Sequence, residues 1–301
     1  MATPISLKAT GRSKRRLAMN KAAEGGAILA ALVAVGVLVL LVGSVFQKAL
    51  PALNWDLFVK GQAVFGETGG GIAPAFVGTI MLVLIATAMA VPIGVLVALY
   101  VSEFASKQIA SQTRLWLDVL NGFPSIVIGI FVFELLVQTK LPILGIGHHQ
   151  SAWAGGFALA ILMVPLIART AMEVLALVPA SLREASYALG VSKWRTVLSV
   201  VLPSALGGIV TGTTLAVARA AGETAPLLFT CSIFGQVVNT DPSNSVASVP
   251  VVIFEYSESP DKNLNAQAWA AAFVLITFVL LTTLLARLVL DRSRRKLGAA
   301  A

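Results

Sequence analysis

The residue best suited to binding chemistry in this sequence is an arginine inside an apolar stretch. Arg219 precedes Glu223 by four positions, so a helix would place both side chains on one face. If the stretch crosses a membrane, the arginine charge costs about 2.5–3.5 kcal/mol and needs the compensation that Glu223 offers. A guanidinium also binds two oxygens of a phosphate group at once. Two roles stay open and can coexist: an internal salt bridge between helices, and an anion-binding position.

The other reactive residue types exclude most enzymatic sites. Cys231 is the single cysteine, which excludes an intrachain disulfide and a multi-thiolate metal site. His148 and His149 are adjacent, the wrong spacing for an H-E-x-x-H metal site, and no Gly-Lys dipeptide is present to form a Walker A loop. The apolar stretches contain neither a Ser/His pair nor paired aspartates. We therefore predict that this chain is not an enzyme and holds no cofactor or metal.

The composition is that of a membrane protein. Hydrophobic residues make up 57% of the 301 residues and charged residues 12%, about half of the roughly 25% charge of a soluble domain. A membrane-spanning helix needs about 20 apolar residues. Six intervals meet this requirement, the third interrupted only by Glu134: residues 27–46, 75–100, 118–140, 152–168, 197–218 and 266–286. We predict an all-α integral membrane protein with six transmembrane helices.

The positive charges fix the predicted orientation. With six spans, 17 of the 22 Lys and Arg residues fall on one side and four on the other, and Arg219 stays inside the membrane. Since cytoplasmic loops are rich in Lys and Arg, both termini are predicted to be cytoplasmic. The net charge of +8 is then explained by basic residues that lie next to anionic lipid headgroups, and it does not indicate nucleic-acid binding. A seventh span at 224–240 would reverse the C-terminus, so this segment is predicted to be broken or re-entrant.

The same span count gives Arg219 a depth in the membrane. It lies 16 residues after Pro203, or about 24 Å along a helix, which places it in the outer half of the bilayer. Gly222 and Pro226 follow and permit a break, and broken membrane helices tend to line substrate cavities. Hydroxyl groups at Thr79, Ser125, Thr211, Thr213 and Thr214 serve helix packing by default, with donation to a passing anion as the alternative.

A cytoplasmic loop between the fourth and fifth spans is patterned as a helix, a turn and a second helix. Ser181 and Glu184 form a capping-box pattern after Pro179. Gly190 is placed to end this helix in a left-handed turn, and Ser192 is placed to cap the next one. The pattern alone leaves two alternatives: an amphipathic helix lying on lipid headgroups, and a docking element for another protein.

The order of residues in this loop resembles the E-A-A-x-x-x-G-x9-I-x-L-P signature of ABC importer permeases, with Ser186 and Val200 as small departures. The resemblance implies a type I (MetI-like) transmembrane domain whose coupling helix, at about 181–190, sits in a cleft of an ATPase subunit. The residues to which it assigns this coupling are Ser181, Glu184, Ala185, Ser186, Gly190, Leu202 and Pro203.

Three further stretches resemble the phosphate-importer (PstA-like) permeases. They are G-I-A-P-A with G-T at 71–79, P-S-I-V-I-G at 124–129, and A-R-A-A-G-E-T-A-P at 218–226. The resemblance implies that Arg219, Glu223 and Thr224 belong to a phosphate pathway in a bacterial inner membrane. The implied partners are a second permease (PstC-like), an ATP-binding dimer (PstB-like) that uses the ATP, a periplasmic phosphate-binding protein (PstS-like) and membrane lipid. Alternatives are an importer of another oxyanion or solute, and a stand-alone secondary transporter.

The predicted organisation follows from these assignments. Residues 1–24 form a disordered basic cytoplasmic tail, 25–50 a peripheral first transmembrane helix and 51–73 a periplasmic loop. Residues 74–290 form the permease core of five transmembrane helices, and 291–301 a basic cytoplasmic tail. Glu134 lies near the outer interface, where it contacts headgroup water or takes part in gating. His148 and His149 lie in an outer loop, solvated or in contact with a substrate-binding protein.

Overall fold

A computed structural model describes residues 11–64, 66–67, 69–138 and 149–298, with side chains except at residues 13 and 289–298. Within these ranges every regular element is a helix, and one isolated bridge between Ser232 and Ala247 is the nearest approach to a strand. The chain divides into two compact units, residues 1–48 and 49–301. His148 and residues 1–10 and 299–301 of the predicted tails lie outside the described residues.

The described part of the first unit is formed by one long helix, α1 (Arg12–Ala49), whose last residue is the first of the second unit. The prediction of a disordered tail up to residue 24 is therefore wrong for residues 12–24, because the basic segment continues the apolar helix without a glycine–proline break. Lys, Arg and Ala are good helix formers, and the two glycines Gly25 and Gly26 do not interrupt the helix. Its side chains are mostly exposed.

The second unit contains eleven helices within the described ranges. They are α2 (Asp56–Val59), α3 (Ala73–Leu99, continued by a π-helical turn Tyr100–Phe104), α4 (Lys107–Gly122), α5 (Ser125–Val132, continued by a π-helical turn Phe133–Gln138), α6 (Ala152–Ala176), α7 (Ala180–Ala188), α8 (Lys193–Thr196, continued by a π-helical turn Val197–Val201), α9 (Leu202–Ala221), α10 (Leu227–Thr230), α11 (Val249–Ser257) and α12 (Lys262–Gly298).

Five helical segments are long and apolar enough to cross a membrane. They are Lys14–Ala52, Ala73–Phe104, Ala152–Ala176, Lys193–Ala221 and Lys262–Leu288. A sixth span is provided by a bent pair, Lys107–Gly122 with Ser125–Gln138, when the pair is counted as one. The all-α membrane fold is confirmed. The basic residues predicted as a C-terminal tail continue α12 as far as Gly298.

The predicted third span, 118–140, is not one straight helix. Its two helices meet at 93°, with Phe123 and Pro124 in extended conformations between them. The cause is Pro124, which has no backbone N–H and disfavours helical geometry in the residue before it. Glu134 lies in the π-helical turn at the end of this pair and is exposed.

Glycines allow three helices, α3, α6 and α9, to pack closely: the contacts run in parallel between α3 and α6 and antiparallel between α6 and α9. A Cβ at Gly94 in α3 would meet Ile167 of α6, and one at Gly156 in α6 would meet Ile85 of α3. Further along α6, Gly208 and Gly212 of α9 face Val174 and Thr170. Small residues permit such close approach between membrane helices, and Gly208 and Gly212 provide it between α9 and α6.

The charge-free segment 224–240 is broken, as predicted. Helix α9 ends at Ala221 and only the four-residue α10 follows before irregular chain. Backbone hydrogen bonds tie this chain to the start of α6: Ser151 N–H donates to the Thr230 carbonyl at 3.2 Å, and Ala152 N–H to the Asn244 carbonyl at 3.1 Å. Irregular backbone inside a membrane protein is tolerated where such partners satisfy it.

Hydrogen bonds connect the loop before α3 to the start of α12. Asn263 donates from its side-chain amide to the carbonyls of Glu67 and Gly69, both at 3.1 Å, and Gln267 donates to Gly69 as well. Asp261 accepts from the backbone of Asn263 at 2.8 Å and of Gly66 at 3.2 Å. These hydrogen bonds lower the pKa of the Asp261 carboxyl.

Candidate functional site

The ion pair expected from spacing forms at the end of α9. Arg219 Nε lies 3.3 Å from Glu223 Oε1, and the side chains are 57% and 17% exposed, respectively. Glu223 therefore points toward the chain's own helices while Arg219 points away from them. Between the ion pair and the neighbouring helix α6 almost no empty space remains, because side chains that include Leu162 and Leu166 fill it. Arg219 thus presents a held cation on an outer face of this chain.

The exposed face of α9 carries a stripe of small and polar residues below the arginine. Ser204, Thr211, Leu215 and Arg219 are exposed and follow one another at helical spacing. The hydroxyls of Ser204 and Thr211 donate to carbonyls one turn back, at 2.6 and 2.8 Å. Since their hydrogens are used in this way, these two residues offer mainly small size and oxygen lone pairs to a neighbour.

The turn after Arg219 contacts the second of the stretches that resemble phosphate permeases. The Thr224 carbonyl accepts the N–H groups of Leu227 at 3.0 Å and Leu228 at 3.2 Å. Gly129 of α5 lies against Pro226, whose Cα would be 2.6 Å from an added Cβ. Residues 129 and 226, almost 100 positions apart, are therefore in direct contact, and this contact requires a glycine at position 129.

We predict that Gly129→Ala lowers the thermal unfolding midpoint of the detergent-solubilised chain. The new methyl group would meet the Pro226 backbone, which cannot yield without moving the turn beside Glu223, and overpacking of this kind costs about 1–3 kcal/mol. Gly122→Ala is the matched control, since nothing lies within 4 Å of its added Cβ. Equal midpoints for the two variants would contradict the close contact.

The predicted hydroxyl donors are mostly committed to the fold. Thr79 is 4% exposed, donates to the Ala75 carbonyl and accepts the Val249 N–H, each at 2.8 Å. It thereby joins the 71–79 stretch to the start of α11. Thr214 donates to the Val210 carbonyl at 2.8 Å. The default packing role therefore describes Thr79 and Thr214.

The loop predicted to be cytoplasmic forms the predicted helix–turn–helix, with one error. Helix α7 is capped by Pro179 and begins at Ala180, and no side chain caps it. The capping box of Ser181 and Glu184 is therefore wrong: Ser181 lies inside the first turn because the extended conformation of Pro179 already begins the helix there. Both side chains are exposed.

Gly190 ends α7 as its residue type predicts. Its φ is +75°, in the left-handed region that favours glycine. Gly190 N–H donates to the Tyr187 carbonyl at 2.9 Å and Val191 N–H to the Ser186 carbonyl at 3.2 Å. These two bonds form a Schellman motif. Ser192 occupies the N-cap position of α8, although its side chain makes no capping hydrogen bond there.

Ser186, which replaces an alanine of the signature, connects the two helices of the loop. Its hydroxyl lies 2.8 Å from the Thr196 hydroxyl, and Thr196 in turn donates to the Ser192 carbonyl at 3.2 Å. Both residues are buried. Leu202 and Pro203 follow at the start of α9, where the missing N–H of Pro203 accompanies the π-helical turn Val197–Val201.

Large apolar side chains are exposed on both sides of the turn in this loop. Leu189 is 84% exposed and Trp194 is 55% exposed, at either side of the Gly190 turn. Ala185 is exposed on α7. A groove beside Trp194 is lined by residues 190–192, 194–195 and 198–199. Exposed large apolar side chains around a rigid turn are typical of a protein-binding surface.

One buried ion pair escaped the sequence analysis. Arg183 Nη2 lies 2.7 Å from Oε1 of Glu103 at the end of the α3 segment, and the two side chains are 21% and 6% exposed. Spacing within a helix predicts contacts three or four positions apart, so it could not predict a contact between residues 80 positions apart. The only sequence sign was that Glu103 is the first charge after the second apolar interval.

Metal and histidine chemistry receive no support from the geometry of the described ranges. No group of three or more His, Cys, Asp and Glu side chains there is arranged to hold a metal ion. His149 Nε2 lies 3.0 Å from the Ser243 carbonyl oxygen.

Comparison with known proteins gives the family. Residues 90–295 match the family described as binding-protein-dependent transport system inner membrane component. A phosphate transport system permease protein PstA from Yersinia pestis is 40% identical over 252 residues, 83% of each chain. The protein of that name from Xylella fastidiosa strain Temecula1 is 38% identical over 283 residues, 93% of this chain and 96% of the relative. The chain belongs to this family of inner membrane components. It is therefore a multi-pass transport subunit and not an enzyme.

Solved structures give the fold class. The chain is similar to a bacterial alginate ABC transporter in complex with its periplasmic protein, with a TM-score of 0.62, 12% identity and coverage of 89% of this chain and 94% of the other. Similarity to an inward-facing MetNI methionine ABC transporter gives a TM-score of 0.56 at 18% identity, with 74% and 94% covered. The predicted type I importer fold is confirmed.

Proposed function

We propose that this chain is a membrane-spanning permease subunit of an ATP-driven importer of inorganic phosphate. The curated relatives are named as phosphate transport permeases and align over most of their length. The observation that carries the proposal within the chain is the outward-facing guanidinium of Arg219, held at 3.3 Å by Glu223. A guanidinium is a bidentate partner for phosphate oxygens.

The exposure of Arg219 favours a pathway between two permease subunits. A cation at membrane depth is costly when it faces lipid, so charged residues in spans usually face a bundle interior or an aqueous cavity. Arg219 is 57% exposed and the stripe below it contains Ser204 and Thr211. A second, similar permease (PstC-like) covering this face would turn the stripe into the wall of a phosphate pathway. Thr224 would lie at its outer end.

Glu223 has two roles in this proposal. Its carboxylate holds the guanidinium in one position, which reduces the entropy lost when an anion binds. It also competes with phosphate for the same guanidinium and so keeps binding weak enough for release. Channels and pathways need sites that bind strongly enough for entry but weakly enough for exit.

The remaining partners are assigned to the two membrane faces of the protein. The apolar surface around Leu189 and Trp194 would dock into an ATP-binding dimer (PstB-like), which supplies the ATP chemistry that this chain lacks. A periplasmic phosphate-binding protein (PstS-like) would deliver phosphate to the opposite, outer face. The distribution of 17 and four cations supports an inner membrane orientation with both termini cytoplasmic. Closure of the ATPase dimer would then switch the pathway between inward- and outward-facing states.

Reconstitution tests this function. The chain is co-expressed with its partner permease and ATPase, placed in proteoliposomes with the binding protein, and assayed with labelled phosphate and labelled sulfate. We expect phosphate uptake that requires ATP on the ATPase side and no comparable sulfate uptake. Proteoliposomes with this chain alone and a phosphate gradient serve as the control. Uptake by the chain alone would indicate a secondary transporter, and ATP-driven uptake of sulfate alone would contradict the proposed substrate.

A further inference from the structure

A single arginine joins the docking helix α7 to the ends of two other helices. The Arg183 guanidinium donates through Nε and Nη2 to Glu103 Oε1, at 3.2 and 2.7 Å. It also donates through Nη1 to the Val178 carbonyl at 2.8 Å and through Nη2 to the Leu175 carbonyl at 3.2 Å. Glu103 ends the α3 segment, whereas Leu175 and Val178 lie at the end of α6. All three nitrogens of the guanidinium are therefore engaged.

Burial of both partners distinguishes this pair from the ion pairs that Arg169 forms. The Glu103 side chain is 6% exposed and Arg183 21%. Arg169 also forms two ion pairs, with Asp118 and Glu173, but these three side chains are 40% to 67% exposed. Exposed pairs contribute little, whereas removal of one partner from a buried pair leaves an uncompensated charge and is strongly destabilising. The Arg183 pair is thus held far more rigidly than the Arg169 pair.

The helices that receive these bonds are themselves packed closely. Gly94 and Gly156 allow α3 and α6 to approach until a Cβ would meet Ile167 or Ile85 of the neighbour. Displacement of α7 therefore acts on α3 and α6 as a pair. A separate contact, Ser186 with Thr196, connects α7 to the segment that continues into α9. The docking helix is consequently attached by one link to the helix that carries Arg219 and by another to the α3–α6 pair.

We propose that Arg183 and Glu103 are positioning residues that transmit movement of the docking helix to the α3–α6 pair, so that ATP hydrolysis is coupled to opening of the pathway. The proposal rests on the proposed function. Arg183 is turned toward the membrane helices, whereas Leu189 and Trp194 form the outward apolar surface. Because these are different sides of the loop, loss of the pair should leave docking intact and disturb only transmission.

The test measures phosphate moved per ATP hydrolysed in the reconstituted complex. With Arg183→Met we expect the ATPase to co-purify in unchanged proportion and hydrolysis to continue, while the ratio falls by at least about tenfold. Glu103→Gln, a nearly isosteric change, should have a similar effect. The double variant should be no worse than either single variant, because both act through one interaction. Arg169→Met is the matched control, with a ratio within about twofold of the unchanged complex.

Two results would overturn the link: an unchanged ratio in Arg183→Met, whether or not both rates fall, and additive effects in the double variant. Should Arg183→Met fail to assemble, Arg183→Lys carries the same test, since it keeps the charge but cannot make all four bonds.

A second measurement distinguishes a failure of the proposed Arg183–Glu103 link from a failure of the proposed phosphate transport. A spin label on Leu96→Cys in α3, an exposed position, should change its mobility with ATP in the otherwise unchanged complex. Arg183→Met should abolish that change without affecting ATP binding. If the spin-labelled complex with Arg183 intact shows the mobility change but takes up no phosphate, the proposed function is contradicted. The link is still supported in that case, provided that Arg183→Met abolishes the change. Persistence of the change in Arg183→Met would contradict the link alone.

Discussion

Replacing Arg219 with methionine is expected to reduce ATP-driven phosphate uptake by about 10- to 100-fold. Methionine keeps an unbranched apolar side chain but removes the outward-facing guanidinium. Hydrogen bonds to charged groups contribute about 1.5–3 kcal/mol, and each 1.4 kcal/mol corresponds to a factor of ten. Uptake of labelled phosphate by the reconstituted complex measures the effect, with ATP hydrolysis as a check that the ATPase remains bound.

Neighbouring substitutions make this test specific. Leu215→Ala, one turn below on the same exposed stripe, should change uptake less than about twofold, because exposed apolar truncations away from charges are small. Arg219→Lys should be intermediate, since an ammonium keeps the charge but lacks the planar fork. Glu223→Gln should lower both KM and the maximal rate, because the guanidinium then holds phosphate without competition. Normal phosphate uptake by Arg219→Met would contradict the assignment of Arg219 to the phosphate pathway.

The second large effect is expected at the docking surface. Leu189→Ala and Trp194→Ala should each weaken association with the ATPase by about 30-fold, since interface hot spots contribute about 2 kcal/mol or more and aromatic anchors are prominent among them. The two side chains flank the Gly190 turn and are 84% and 55% exposed. Co-purification after mild detergent extraction and a titration of ATPase into the purified chain provide the measurements.

Leu177 offers a matched control for this surface. It is 80% exposed, nearly as much as Leu189, but it lies at the C-terminal end of α6 and not on the turn. Leu177→Ala should therefore leave ATPase binding within about twofold of its original value. Equal losses in Leu177→Ala and Leu189→Ala would mean that general exposure of apolar residues, and not the turn, determines binding.

Several features were predictable because they depend on local chemistry. The left-handed conformation of Gly190 follows from its place after a short amphipathic helix. The Arg219–Glu223 contact follows from the four-residue spacing, and it forms even though Glu223 lies two residues beyond the end of α9 at Ala221. The break after Gly222 follows from a glycine and a proline within five positions.

Other local predictions failed where two signals competed. Ser181 and Glu184 matched a capping box, but Pro179 starts the helix one residue earlier and places Ser181 inside it. The interval 118–140 had the composition of one span, yet Pro124 divides it into helices at 93°. In both cases the conformational restriction of proline was stronger than a pattern of side chains.

The sequence by itself determined that this chain is a membrane protein and where its long apolar helices lie, and it led to the predictions of a docking loop and of a charge inside the bilayer. These properties depend on composition and on spacing within about one helical turn, which a linear chain displays directly. Only the tertiary structure decided that Arg183 holds Glu103, that Gly129 lies against Pro226, and that Arg219 faces away from the chain's own helices. Each of these depends on how helices distant in sequence approach and rotate, which small residues and broken segments permit but do not specify locally.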